Sequence, residues 1–251
     1  MSRDRISLLS SDYDGTLSPF EVTREESRVP PDLDVVLRGI AEKAKLAIVT
    51  SKSFDFISSR IPYAQAWGCS GGLDVRFKDG REFAASPPID VGAELRKTKR
   101  MLGEQVSYEE KRSSTLLLGF SVDWRGRPAP TGLSRAIAAL QRDGLFVAHE
   151  PQNPFVDFFG SRPDKGRAVS RIKEVLGATG SGTIFMGDSS TDNPAFWEVG
   201  IPVGVDHGQP LGSLECDFVV TQRDVTPFLS ALYQRDMVFD PGLPGLHRRG
   251  V

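Results

Sequence analysis

Four carboxylates, one ammonium and one hydroxyl stand where short apolar runs end. Asp12 and Asp14 follow the run at 6–9, Thr50 follows 46–49, Asp188 and Asp192 follow 183–187, and Lys165 opens a helical pattern. A carboxylate is costly to bury unpaired, and Asp14–Gly15 by itself reads equally well as a solvated turn. Together, acids without a histidine among them make a hard-oxygen site, which suits Mg²⁺ better than zinc. Such a set leaves one acid free to attack a phosphoryl group and another free to carry a proton. In that scheme Asp12 is the nucleophile and also touches the metal, whereas Asp14 protonates the leaving alkoxide and then deprotonates the attacking water. Lys165, Thr50 and the adjoining Ser51 hold the phosphoryl oxygens, because phosphoryl transfer depends mainly on positioning and charge neutralisation. Gly15 lets the chain turn sharply after the strand.

These positions need a scaffold that brings distant segments to one place. Apolar runs of strand length at 6–9, 46–50, 183–187, 201–205 and 217–221 alternate with helical patterns at 30–44, 53–61, 166–177 and 224–234. That alternation predicts a parallel sheet covered by crossover helices, with ligands beyond the carboxyl ends of its strands. The middle of the chain departs from it: helices at 90–103 and 131–144 intersperse with strands at 114–122, 145–150 and 155–160. The expected fold is therefore α/β, a Rossmann-like core formed by 1–86 and 162–251 with an α+β unit, 87–161, inserted between its halves. The seams, 85–90 and 161–166, carry Pro and polar residues, as linkers do.

The motif "DYDGT" at 12–16, Thr50 after its apolar run, Lys165–Gly166 and "GDSSTD" at 187–192 resemble, in order, the four motifs of the haloacid-dehalogenase superfamily of phosphatases. The resemblance implies that the insert is a cap over the site. It also implies a Mg²⁺ ion held by Asp12, Asp188, the Asp14 carbonyl and Asp192, and a phosphoaspartyl intermediate on Asp12. Within that superfamily "GDSSTDNPAF" at 187–196 is similar to the fourth motif of trehalose-6-phosphate phosphatases. Glu109 and Lys111 resemble that group's ExK cap motif, and Asp157 stands eight residues before Lys165, where the group carries a sugar-contacting Glu. The implied substrate is a small sugar phosphate gripped by Glu109, Lys111 and Asp157 as well as by the phosphate residues. Ser189, Asn193 and Pro194 replace acids of the pattern, and "GCSGGL" at 68–73 lacks its His. A mannosyl- or glucosyl-3-phosphoglycerate phosphatase, a phosphomutase and a catalytically silent sugar-binding homologue therefore remain alternatives. From the residues alone, Glu109 and Lys111 read as well as a charged strand edge, and Phe155, Phe158 and Phe159 as core rather than as a sugar-stacking surface.

The 251 residues carry 31 Lys and Arg against 33 Asp and Glu, so no global field draws the chain to nucleic acid or to a membrane surface. The basic run at 96–100 is expected to be the solvated face of a helix. Cys69 and Cys216 are the sole cysteines and are far apart, while His149, His207 and His247 are scattered, which leaves neither a disulfide framework nor a zinc pattern. The N-terminal apolar stretch is too short for a signal peptide, and the expected setting is a reducing cytoplasm, with the protein a monomer or weak dimer. The Pro/Gly/Arg-rich segment 239–251 is expected to be loosely ordered.

Overall fold

The computed structural model describes residues 5–19, 22–149, 153–208 and 213–249. Its first half runs β1 (Leu8–Ser11), α1 (Pro31–Lys43), β2 (Lys45–Val49), α2 (Phe54–Arg60), β3 (Ala66–Cys69), β4 (Asp74–Phe77) and β5 (Glu82–Ala84). The inserted stretch contributes α3 (Val91–Leu102), β6 (Ser107–Arg112), β7 (Leu117–Asp123), α4 (Leu133–Arg142), β8 (Phe146–Ala148) and β9 (Phe155–Phe159). The chain then returns through α5 (Lys165–Leu176), β10 (Thr183–Gly187), α6 (Asn193–Phe196), β11 (Ile201–Asp206), β12 (Phe218–Thr221), α7 (Val225–Gln234) and β13 (Leu246–Arg248).

Among the described residues the core is a nine-stranded sheet in the order β13-β12-β11-β10-β1-β2-β3-β4-β5, parallel from β12 to β3 and antiparallel at both edges. The period of two along each strand sorts its apolar residues onto two faces. Leu9, Ile48, Ile184 and Met186 pack with Leu33, Leu37 and Ile40 of α1 and Phe228 and Leu229 of α7. Leu8, Ala47, Val49 and Phe185 pack on the other face with Ala168, Val169 and Ile172 of α5. Strands buried on both faces read as continuous apolar runs, which is why β1, β2 and β10 stand out in the sequence.

The insert forms its own antiparallel sheet, β6-β7-β9-β8. One face, with Phe120, Val122, Val156 and Phe158, is covered by Val91, Leu95 and Leu102 of α3 and Ala136 and Leu140 of α4. The opposite face carries Glu109, Ser121 and Asp157 in one cross-strand row and Lys111, Gly119 and Phe159 in the next. Phe158 stacks on Phe120 with ring centroids 5.1 Å apart and belongs to the core. Arg96, Lys99 and Arg100 of the basic run are solvated, as their pattern requires.

Several elements differ from the sequence expectation. The strands β3, β4, β5 and β6 go unread there, because β3 contains a glycine and β6 is a run of polar side chains. The segment 240–249 is tied down rather than loose: β13 pairs with β12, and Leu243 and Leu246 are buried, while 250–251 lie outside the described residues. The strand expected at 145–150 ends at Ala148, and Glu150 lies outside the described residues. No helix among the described residues is long and apolar enough to cross a membrane.

Candidate active site

Parallel pairing sets the ends of β1, β2 and β10 level, since Ser11 faces both Ile48 and Met186 in register. The residues that follow therefore meet. Asp12 N donates to Met186 O at 2.8 Å and Thr50 N to Gly68 O at 2.7 Å, so hydrogen bonds to the neighbouring strands carry on one step past each strand. Lys165 begins α5, whose first turn is capped by Asp164 accepting from Arg167 N. Its ammonium lies 2.9 Å from Asp12 Oδ2 and 2.6 Å from Asp192 Oδ1, with all three side chains nearly excluded from solvent. The second oxygen of Asp192 accepts from the backbone N–H groups of Asp188 and Ser189 at 3.1 Å each, and from Ser189 Oγ. Asp192 is thus the staple of the loop after β10. That loop also needs Gly187, where a Cβ would fall 2.4 Å from the Asp192 carboxyl carbon.

Asp14 points elsewhere. Ser27 Oγ donates to it at 2.9 Å and Lys52 Nζ lies 3.2 Å away, so its partly exposed carboxylate stands at the mouth of the site. Thr50 Oγ1 accepts from Lys52 N at 3.3 Å. Ser51 contributes a carbonyl, which accepts from Lys111 Nζ at 2.7 Å. Lys111 is 1% exposed and lies 3.4 Å from Asp157, which in turn accepts from Ser121 Oγ. Lys111 lies on the edge strand β6, but burial this deep excludes a solvated surface charge. Glu109 accepts from Arg24 at 2.6 Å and from Ser53 Oγ at 3.4 Å. The insert therefore meets the core beside Thr50, through the same face that carries its polar row.

No protein-family model and no curated protein matches the sequence. Solved structures do match the fold. A trehalose-6-phosphate phosphatase related protein superposes with a TM-score of 0.69 over 91% of this chain and 98% of its own, at 21% identity. The C-terminal domain of the trehalose-6-phosphate phosphatase of C. albicans gives 0.69 over 93% and 97%, at 13% identity. A sugar phosphatase of haloacid-dehalogenase subclass IIB gives 0.66 over 92% and 100%, at 12% identity. The fold is that of the haloacid-dehalogenase superfamily. The nine-stranded sheet is its Rossmann-like core, and the separate antiparallel sheet lies in the position of its cap.

The residues at this end of the sheet fit a divalent cation. Oxygens of Asp12, Asp188 and Asp192 lie within 4.8 Å of one another; among the described residues the Lys165 ammonium pairs with Asp12 and Asp192, and Asp188 meets His207. Burial pushes the Asp12 carboxyl well above the usual carboxylate range; Lys165 pulls it back, and Asp192 and Asp188 raise it again. Burial also raises Asp188, against a hydrogen bond from His207. Burial alone would lower the Lys165 pKa, but Asp12 and Asp192 outweigh it and hold the ammonium charged. A dication supplies the positive charge such a cluster lacks.

His207 overturns the sequence expectation of a site without histidine: its Nε2 lies 2.9 Å from Asp188 Oδ2. It directly follows β11, a parallel strand whose carboxyl end faces the site, so strand position was the one signal that could have found it. Arg24 and Lys52 went unread for a different reason. They lie in loops without periodicity and are recognisable only by what they touch.

Proposed function

We propose that this chain is a Mg²⁺-dependent phosphomonoesterase that hydrolyses a sugar phosphate, with trehalose 6-phosphate as the preferred substrate. The observation that carries the reading is the meeting of Asp12, Lys165, Asp188 and Asp192, from three separated segments, at the carboxyl end of a capped haloacid-dehalogenase sheet. Asp12, Asp188 and the Asp14 carbonyl would hold the cation, with Asp192 reaching it through water because both of its oxygens are engaged. When bound, the cation neutralises charge on the transferring phosphoryl group. Asp12 attacks phosphorus through its carboxylate and forms a phosphoaspartyl mixed anhydride as the bond from phosphorus to the sugar oxygen breaks, while Asp14 gives a proton to the departing sugar oxygen. Asp14 then takes a proton from the water that hydrolyses the anhydride, so one acid serves both half-reactions. Lys165 and Thr50 orient the equatorial oxygens.

Residues 87–161 act in this proposal as the cap that recognises the leaving sugar through Glu109, Lys111 and Asp157. The trehalose assignment is supported by the fourth motif, "GDSSTDNPAF", and by the trehalose-6-phosphate phosphatases among the structural neighbours. A glycosyl-3-phosphoglycerate is the second candidate, favoured by the cations Arg24, Lys52 and Lys111 at the seam, which would suit a carboxylate.

Phosphate release should be measured on trehalose 6-phosphate, both glycosyl-3-phosphoglycerates, glucose 6-phosphate and p-nitrophenyl phosphate, each with Mg²⁺ or EDTA. Mg²⁺-dependent release, highest on trehalose 6-phosphate, is the expected result. Preference for a phosphoglycerate transfers the assignment to that class. Turnover that survives exhaustive chelation overturns the site, and absence of turnover despite metal binding marks a silent homologue.

A further inference from the structure

Asp188 is constrained at one carboxylate oxygen from two sides. A Cβ on Gly15 would fall 2.2 Å from its Oδ2, and Gly15 has φ 73°, so only glycine leaves room for that oxygen. His207 Nε2 lies 2.9 Å from the same oxygen, and the two side chains are only 7% and 6% exposed, so water does not compete for the contact. Among the described residues Oδ1 accepts no hydrogen bond and the three-carboxylate group does not include the imidazole. The histidine is itself presented by a tight turn after β11, in which Gly208 N donates to Asp206 Oδ1 at 2.8 Å.

We propose that His207 is a positioning residue of the metal centre: by donating from Nε2 to Oδ2 it fixes the Asp188 carboxylate, keeps Oδ1 as the oxygen available to the cation, and thereby sets metal affinity. The inference rests on the reading that the cluster holds a divalent cation, and it adds a residue to which no motif points. A carboxylate free to rotate must lose that freedom on binding, whereas one held by a buried donor has already lost it. Hydrogen bonds to ligating carboxylates typically contribute about 10–100-fold in metal affinity. His207 touches neither the phosphoryl group nor the attacking water in this arrangement, so its effect falls on binding.

The test uses chelator-stripped full-length protein and Mn²⁺ as the probe, with free Mn²⁺ followed by electron paramagnetic resonance and no substrate present. His207→Ala is expected to weaken Mn²⁺ binding by about 10–100-fold. His207→Gln, whose amide also donates, should recover most of the loss. Melting curves in EDTA should superpose for the three proteins, which separates positioning from folding. In turnover, the loss should appear as a higher metal concentration for half-maximal rate rather than in kcat. Unchanged Mn²⁺ affinity in His207→Ala overturns the proposal, as does a Gln variant no better than Ala. Loss confined to Zn²⁺ and Ni²⁺ overturns it too, because it would make His207 a direct ligand. If the parent protein binds no Mn²⁺, the metal reading itself falls, an outcome distinct from failure of the His207 role alone.

Discussion

The core site and the polar face of the insert are built from the same residue types with opposite bookkeeping of charge. At the core, among the described residues, Asp12 and Asp192 share the Lys165 ammonium and Asp188 meets the His207 imidazole, so three carboxylates face one fixed positive charge. On the insert, Lys111 is matched by Asp157 and the Ser51 carbonyl, and Glu109 by Arg24 and Ser53. A site with an excess of carboxylates suits a cation, whereas a balanced one could grip a sugar only by exchanging partners. In the proposed function chemistry and selectivity are divided between these two regions, and substitutions should separate them.

The largest separation is in turnover. Asp12→Asn removes the proposed nucleophile and should lower phosphate release by at least about 10³-fold on every ester tested, a loss that no substitution on the insert should match. Stability offers a sharper contrast. Lys111→Ala strands Asp157 as a buried charge and should cost about 3 kcal/mol in urea unfolding, regained in part by adding Asp157→Asn. Lys165→Ala also leaves buried acids unpaired, but Mg²⁺ should restore much of its melting temperature and should do nothing for Lys111→Ala. If both variants respond alike to Mg²⁺, the contrast between the regions is wrong. In the third test, Glu109→Ala should lose about 1–3 kcal/mol in kcat/KM on the sugar phosphate. p-Nitrophenyl phosphate, too small to reach the insert, should be spared.

The smallest effect lies between the regions, at Asp74 on β4. It is fully buried, its Oδ1 has no partner, and burial pushes its carboxyl up to about 6 against the pull of Arg76, whose guanidinium also reaches the Arg112 carbonyl of the insert. An acid whose folded pKa exceeds its unfolded value holds its proton more tightly when folded, so stability is present below about pH 4 and is lost as pH rises toward 6. Asp74→Asn removes that loss at the expense of the Arg76 contact. It should be more stable than the parent by about 1 kcal/mol at pH 7, with the difference vanishing near pH 4. A difference that grows as pH falls would reverse the assignment.

What could be read from the sequence follows from this division. Asp12, Thr50 and Asp188 were legible because each ends a run of residues buried on both faces of the sheet, a pattern visible without knowing the partners. Lys165 was legible as a polar residue opening an amphipathic helix. The burial of Lys111 was not, because "SYEEKR" gives no sign that alternate charged side chains turn inward; only pairing with β7 decides it. His207 was hidden for a related reason: its meaning depends on one oxygen of a residue nineteen positions earlier. β13 was missed because three residues among glycines and prolines form a strand only when β12 offers an edge.

The pairing of β1 with β10 has a consequence for the order in which the chain matures. Ser7 Oγ donates to Gly182 O across 175 residues, and Leu8 lies in register with Thr183. During synthesis the insert is complete, with all its strand partners close in sequence, while β1 still waits for a neighbour on one side. Closing so long a loop precedes the contacts that reward it, which slows assembly. The segment carrying Asp12 is therefore made before β10 and enclosed only after it, and until then β2 is the only one of its two strand partners present.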